Sequence, residues 1–331
     1  MLTSPPLLSR RGITSVPLQN AHKADLLLLI VTLLAAISWM FSKEAVLSMP
    51  PLLFMAVRFL LASAILSLVA WPQLRLLSKA QLLRCIRVGL VFGIAMSCWV
   101  MGLAVGSHVG EGAFLTSLGV VLVPIIGRLL FAEPVPTSTW LALPVAVAGL
   151  AMLSLQHGLN PQPGQLFFVA AATIFALYFN LNTRAANTIA VTGRNGQTHE
   201  QARIPALVLT SVVLAVVGGV TGALSAVFEP WRTTWQQVTP MLLVWVILSA
   251  TVGTAVRFLV QTYAQSLSLQ SHAVVIMVLE PVWTALIAAA WFDETMNPTQ
   301  LAGCVLIFIS LLVNRHRFVR DLLKSLIKPI S

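Results

Sequence analysis

Charged side chains are scarce in this chain, and acidic ones scarcer. Ten Asp and Glu stand beside twenty Lys and Arg in 331 residues, 9% charged in all. A soluble domain carries about 25%, so a water-facing surface cannot be covered. With 58% hydrophobic residues, the chain reads as an all-α integral membrane protein. Cysteine is nearly absent: Cys85, Cys98 and Cys304 show neither CxxC nor metal-ligand spacing. Cys98 and Cys304 fall inside apolar runs, where a thiol serves as a small buried group. His108, His157, His199 and His272 lie in separate loops or helix ends, without HExxH spacing. No nucleophile elbow or P-loop occurs, and no Ser/His set or paired acid lies inside an apolar run. These absences argue against an enzyme and predict no cofactor and no metal. Short loops leave no room for an attached ATPase, kinase or protease domain.

What is present is length of apolar sequence. A membrane span needs about 20 apolar residues, and ten windows qualify, roughly 26–46, 50–70, 86–106, 111–131, 138–156, 165–185, 204–228, 241–263, 271–292 and 297–314. The net charge of +10 is distributed as orientation rules require. With a cytoplasmic N-terminus, that side receives Arg10, Arg11, Lys23, Arg75, Lys79, Arg84, Arg87, Arg184, Arg194, Arg203 and the tail Arg315, Arg317, Arg320, Lys324 and Lys328; the other holds little beyond Lys43 and Arg232. The asymmetry predicts an even number of spans and both termini cytoplasmic. A nucleic-acid partner would need a basic face on a folded module, and none is encoded. The Arg10–Arg11 pair reads as a cytoplasmic anchor rather than a twin-arginine signal, because the apolar run after it is long enough to stay as a helix.

The most informative stretch is Ser271–Glu294, apolar throughout except for Glu280 directly before Pro281. An acid at mid-membrane costs at least ~2.5–3.5 kcal/mol, and the proline predicts a kink there. Two readings of Glu280 stand side by side: a proton- or cation-binding group of a transport pathway, or a buried partner that maintains the joint. The eighth window carries Thr251, Thr254, Arg257, Gln261 and Gln265 at spacings of three and four. On a regular helix they share one face, which must meet a wet cavity or another helix. Arg58 lies ~12 Å deep at 1.5 Å per residue, tethered to backbone carbonyls or touching a ligand. Trp39, near the end of the first span and one helical turn before Lys43, is either an interfacial belt residue or a cavity wall. Gly89, Gly93, Gly102 and Gly106 in the third span predict close helix packing. Glu133 and Glu294, at helix ends, fit boundary or gating roles.

A shift of 161 residues lays Phe131–Glu133 on Phe292–Glu294, Leu118 on Leu279, Val121 on Val282 and Leu150 on Leu311. Five spans per half invert the second half against the first, the plan of many secondary transporters. The implied organisation is a disordered cytoplasmic segment 1–23, a five-helix repeat 24–156, a linker 157–164, a second five-helix repeat 165–314, and a basic cytoplasmic tail 315–331. The loop 186–203 is long and polar, with no function legible in it.

The segments Glu111–Met152 and Ser271–Val313, each an apolar helix followed by Glu, a short turn and another helix, resemble the paired repeats of EamA-type drug/metabolite transporters. Leu279-Glu280-Pro281-Val282 with Glu294 thirteen residues after the proline, Arg58-Phe59-Leu60, Phe131-Ala132-Glu133 and Ala176-Leu177-Tyr178-Phe179 carry the likeness over residues 24–314. Val120 departs from it, standing where the family has proline. The resemblance implies ten helices, an inner (plasma) membrane location, and export or exchange of small metabolites such as amino acids and related amphipathic compounds. The expected central site is Trp39, Trp99, Tyr178, Arg257, Glu280 and Trp283, aromatic walls with an Arg–Glu pair to orient a zwitterion. A small-molecule substrate, the lipid bilayer and a proton as candidate coupling ion are the expected partners, with monomer and homodimer both open. A channel and a non-transporting scaffold or signalling protein are the alternatives.

Overall fold

The computed structural model describes residues 18–106, 108–132, 137–154, 162–192, 198–231, 238–267, 277, 279–293, 295 and 297–314. The N-terminal seventeen residues, the linker stretch 155–161, Arg232, the stretch 268–276, the tail 315–331, Glu133 and Glu294 lie outside them. The expectations placed on those residues therefore have no structural counterpart.

The described chain runs α1 (Leu18–Val46), α2 (Pro51–Leu74), α3 (Lys79–Val105), α4 (Val109–Phe131), α5 (Thr137–Ser154) and α6 (Pro163–Ala186). A short hairpin of β1 (Ile189–Thr192) and β2 (Thr198–Gln201) follows, then α7 (Ala206–Phe228), α8 (Pro240–Leu267), α9 (Leu279–Phe292) and α10 (Pro298–Asn314). Seven of these helices are long and apolar enough to cross a membrane; α5, α9 and α10 contain shorter apolar stretches. The molecule is a multi-pass membrane protein. Helix α1 begins at Leu18, so part of the 1–23 segment expected to be disordered is helical. The polar loop holds an antiparallel ladder pairing Ile189 with Gln201 and Thr192 with Thr198, a departure from all-α that alternating short polar runs do not announce.

Local chemistry sets the helix ends. Proline opens α2, α6 and α8, where its missing N–H has no helical partner to lose. Ser78 and Gln81 form a capping box at α3, and the Thr239 side chain caps α8. Helices α4 and α9 end alike: Ala132 and Asp293 have φ of 53° and 52° and are the non-glycine residues of positive φ among those described. Such a left-handed residue stops a helix. The two positions are separated by the same 161 residues that align Phe131–Glu133 with Phe292–Glu294.

The packing pairs helices from the two halves. Helix α2 lies against α7 and α5 against α10; α1 packs on α8 and α9, while α6 packs on α3 and α4. Small residues allow these approaches. A Cβ on Gly89 of α3 would stand 2.6 Å from Val216 of α7, and one on Gly218 of α7 would stand 2.7 Å from Leu60 of α2. Gly102 faces the ring of Phe168 on α6, where a Cβ would stand 3.0 Å from it. At one end of the α2–α7 pair, the Glu229 carboxylate accepts from the backbone N–H of Leu52 and of Leu53, both at 2.8 Å, and from the Ser225 hydroxyl at 2.7 Å. This clasp satisfies donors of α2's first turn that have no intrahelical acceptor.

Candidate functional site

Placing the helices bears on two expectations about local geometry. Met277 is in a turn and α9 starts at Leu279. Glu280 and Pro281 therefore occupy the first turn of the described helix, where proline removes no helical hydrogen bond; residues 268–276 and 278, on which the expected kink depends, lie outside the described residues. Helix α8 is not regular either: Thr251–Val256 form a π-helical turn, and the Thr254 hydroxyl donates to the Ser249 carbonyl five residues back. The wider turn breaks the single polar face expected from the spacing. Thr251 bonds its own helix at Ile247, and Thr254 turns to α2. Arg257 and Gln261 line a cavity, and Gln265 accepts from the Asn182 amide of α6 at 2.6 Å.

The π turn receives Arg58. This guanidinium is 2% exposed and donates through Nε to Thr254 Oγ1, through Nη1 to Ser42 Oγ at 2.6 Å, and through Nη2 to Ser38 Oγ at 2.6 Å and the Gly253 carbonyl at 3.1 Å. The tethering reading of Arg58 is thus the observed one, with three hydroxyls added to the carbonyl. Gly253 is required by this approach, since a Cβ there would stand 2.5 Å from Ser38 Oγ.

Next to this cluster a cavity opens between α1, α2, α3, α4, α6, α8 and the start of α9. Water centres can occupy about 90 Å³ of it; at ~10–15 Å³ per water that is room for several waters or a small organic molecule. Trp39, Trp99, Tyr178, Arg257 and Glu280 all line it, as do Arg58, Phe92, Phe258, Gln261 and Met277. Trp283 does not; its buried Nε1 has no partner among the described residues.

Glu280 is the junction of the site. Its Oε1 accepts from Trp39 Nε1 at 2.9 Å and its Oε2 from Arg257 Nη2 at 3.2 Å, so one carboxylate joins α1, α8 and α9. Trp39 is 2% exposed, which overturns the interfacial-belt reading: its indole N–H is spent on an acid, not on headgroups. Edge-to-face contact with Trp99 at 4.7 Å fixes its ring. On the opposite wall Phe92 stacks on Tyr178 at 3.9 Å between centroids, with 11° between planes, and meets Phe258 edge-on at 5.0 Å. Arg257 lies over the Phe258 ring at 4.7 Å, a cation–π contact, and its buried Nε has no hydrogen-bond partner among the described residues. The same holds for Oε1 of Gln261, one helical turn further on.

Phe92, Phe258 and Met277 are walls that sequence reasoning passed over. Nothing separates an inward Phe92 from a lipid-facing one in the apolar run around it, whereas Phe258 stands three and seven residues before Gln261 and Gln265, on the side of the polar stripe. Gln261 was visible only as a member of the polar stripe.

The family model described as the EamA-like transporter family matches residues 22–155 and again 162–315. An uncharacterized transporter of Archaeoglobus fulgidus is 25% identical over 290 residues, covering 88% of this chain and 85% of that protein. A solved crystal structure of another protein superposes with a TM-score of 0.62 over 92% of this chain and 99% of its own, at 17% identity. That likeness is one of fold.

Proposed function

Because this chain belongs to the EamA-like transporter family, we propose that it is a secondary transporter that exports small amphipathic metabolites by alternating access through the cavity at Glu280. The observation that carries the reading is the three-way junction: one carboxylate, held by Trp39 of α1 and Arg257 of α8, ties helices of the two sequence halves together beside a cavity. A ligand entering the cavity reaches that contact and competes for it. The proposed architecture is ten spans in two inverted five-helix repeats. Both matched segments of the family, the left-handed ends Ala132 and Asp293, and the pairing of α2 with α7 and α5 with α10 support it. The termini are cytoplasmic in this reading and the membrane is the inner one, consistent with the basic residues clustered on one side. Trp39, Trp99, Tyr178, Arg257 and Glu280 are the proposed substrate contacts; Trp283, outside the cavity, would act only through packing.

The test compares the extracellular metabolites of cells overproducing the wild type with those overproducing Glu280→Gln at equal membrane levels. One compound class enriched outside by the wild type and reduced at least about tenfold in the variant, ~1.4 kcal/mol of coupling, is the expected result. Equal enrichment by both proteins would leave a carrier whose Glu280 only packs. Enrichment by neither would overturn the export reading.

A further inference from the structure

The charges that line the cavity do not cancel. Arg58, Arg257 and Glu280 are its charged residues among those described, and arginine keeps its proton in proteins. Two guanidinium groups thus face one carboxylate. Arg58 is hydrogen-bonded to hydroxyls and a carbonyl, which solvate its charge without neutralising it. Glu280 has one oxygen on Trp39 and the other on Arg257, so two of its roughly four lone-pair sites are taken and its charge is already matched by one guanidinium. Among the described residues, two polar atoms of the lining residues are buried without a partner, the Nε–H donor of Arg257 and the Oε1 acceptor of Gln261, and of these only the donor belongs to a charged group. A ligand with a negative group would satisfy this donor and balance the excess positive charge in one step, where the surrounding low dielectric makes both effects large.

Resting on the transporter reading above, we propose that the site takes monoanions: a carboxylate, or an equivalent anionic group, on a small apolar body. The anionic group meets Arg257 Nε. The body lies against the Trp39–Trp99 and Phe92–Tyr178 walls, and the unpartnered Gln261 oxygen takes a neutral N–H or O–H where the ligand has one. The inference departs from the zwitterion expected from the sequence. An ammonium beside the carboxylate restores the unbalanced charge and finds Glu280 already engaged.

The experiment uses the full-length protein in lipid nanodiscs, with fluorescence of its tryptophans as the readout. The probes are three bodies, propyl, phenethyl and cyclohexylethyl, each carrying a carboxylate, a primary amide, an amine, or the α-amino acid group. Carboxylates are expected to bind at least about tenfold more tightly than the amide and the amine of the same body, and more tightly than the amino acid. Arg257→Gln removes this preference, whereas Glu280→Gln, which takes away the negative charge of the lining, widens it. Amines binding as tightly as carboxylates, a preference unmoved in Arg257→Gln, or no binding by any carboxylate of the three bodies would overturn the assignment. Proteoliposomes loaded with the same probes separate the two claims. Carboxylates that bind but do not cross would remove the carrier and keep the anion site. Amines that cross while carboxylates do not would keep the carrier and remove the anion site.

Discussion

Two arginines stand inside the same bundle and are accommodated in opposite ways. Arg58 has no carboxylate partner among the described residues and is held by four hydrogen bonds to groups on two helices, α1 and α8. Arg257 has a carboxylate at 3.2 Å, keeps partial exposure, and leaves its Nε without a partner among the described residues. A buried polar network that is largely satisfied holds elements in one arrangement, whereas one with open valences is available to a ligand. The contrast separates what joins α1, α2 and α8 from what the cavity offers, although the two groups line the same space.

The contrast can be broken by substitution, and Arg58→Leu is the severest test. It takes the guanidinium donors from Ser38, Ser42, Thr254 and the Gly253 carbonyl, leaving each hydroxyl only its bond to a backbone carbonyl, with an expected loss on the order of 3 kcal/mol. Thermal unfolding in detergent and recovery of monodisperse protein measure it. Gly253→Ala follows, because its Cβ would meet Ser38 at 2.5 Å. Crowding of that kind costs ~1–3 kcal/mol, read from the same melting curves. Arg257→Gln should cost least, about 1 kcal/mol or less, since the carboxylate it leaves stays bonded to Trp39 and the site is partly open to water. Transport of whichever compound class the wild type exports should nevertheless fall at least about tenfold. Equal melting shifts for Arg58→Leu and Arg257→Gln, or unchanged transport in the latter, would erase the distinction.

The sequence announced some of this and concealed the rest. Span positions follow from runs of apolar residues alone, and the 161-residue shift was visible as Phe-Ala-Glu against Phe-Asp-Glu. Spacing could not reveal the π turn, because Thr251, Thr254 and Arg257 suit a regular helix as well; the turn arises from tertiary demands at Gly253 and Arg58. Trp39 was ambiguous for a related reason. An indole close to a helix end suits an interface, and only the folded partner Glu280, 241 residues away, shows where its N–H goes. The aromatic wall Phe92 was hidden by composition, since the run around it is apolar, whereas Phe258 stands three and seven residues before Gln261 and Gln265 and could have been read from the polar stripe. The hairpin at 189–201 was hidden because its order is carried by backbone pairing.

The packing of α5 bears on how the protein is made. Helix α5 lies chiefly against α10 and more lightly against α4, yet the ribosome supplies α10 roughly 150 residues after α5. In the ten-span reading, at ~5–20 residues per second, α5 waits on the order of ten seconds in the bilayer for its main neighbour, with α4 and lipid around it meanwhile. Its uncharged sequence TSTWLALPVAVAGLAMLS suits that interval, because lipid chains solvate such a surface as well as another helix does. An ionisable residue there would face acyl chains for the whole of that delay, even at a position that the finished molecule shields.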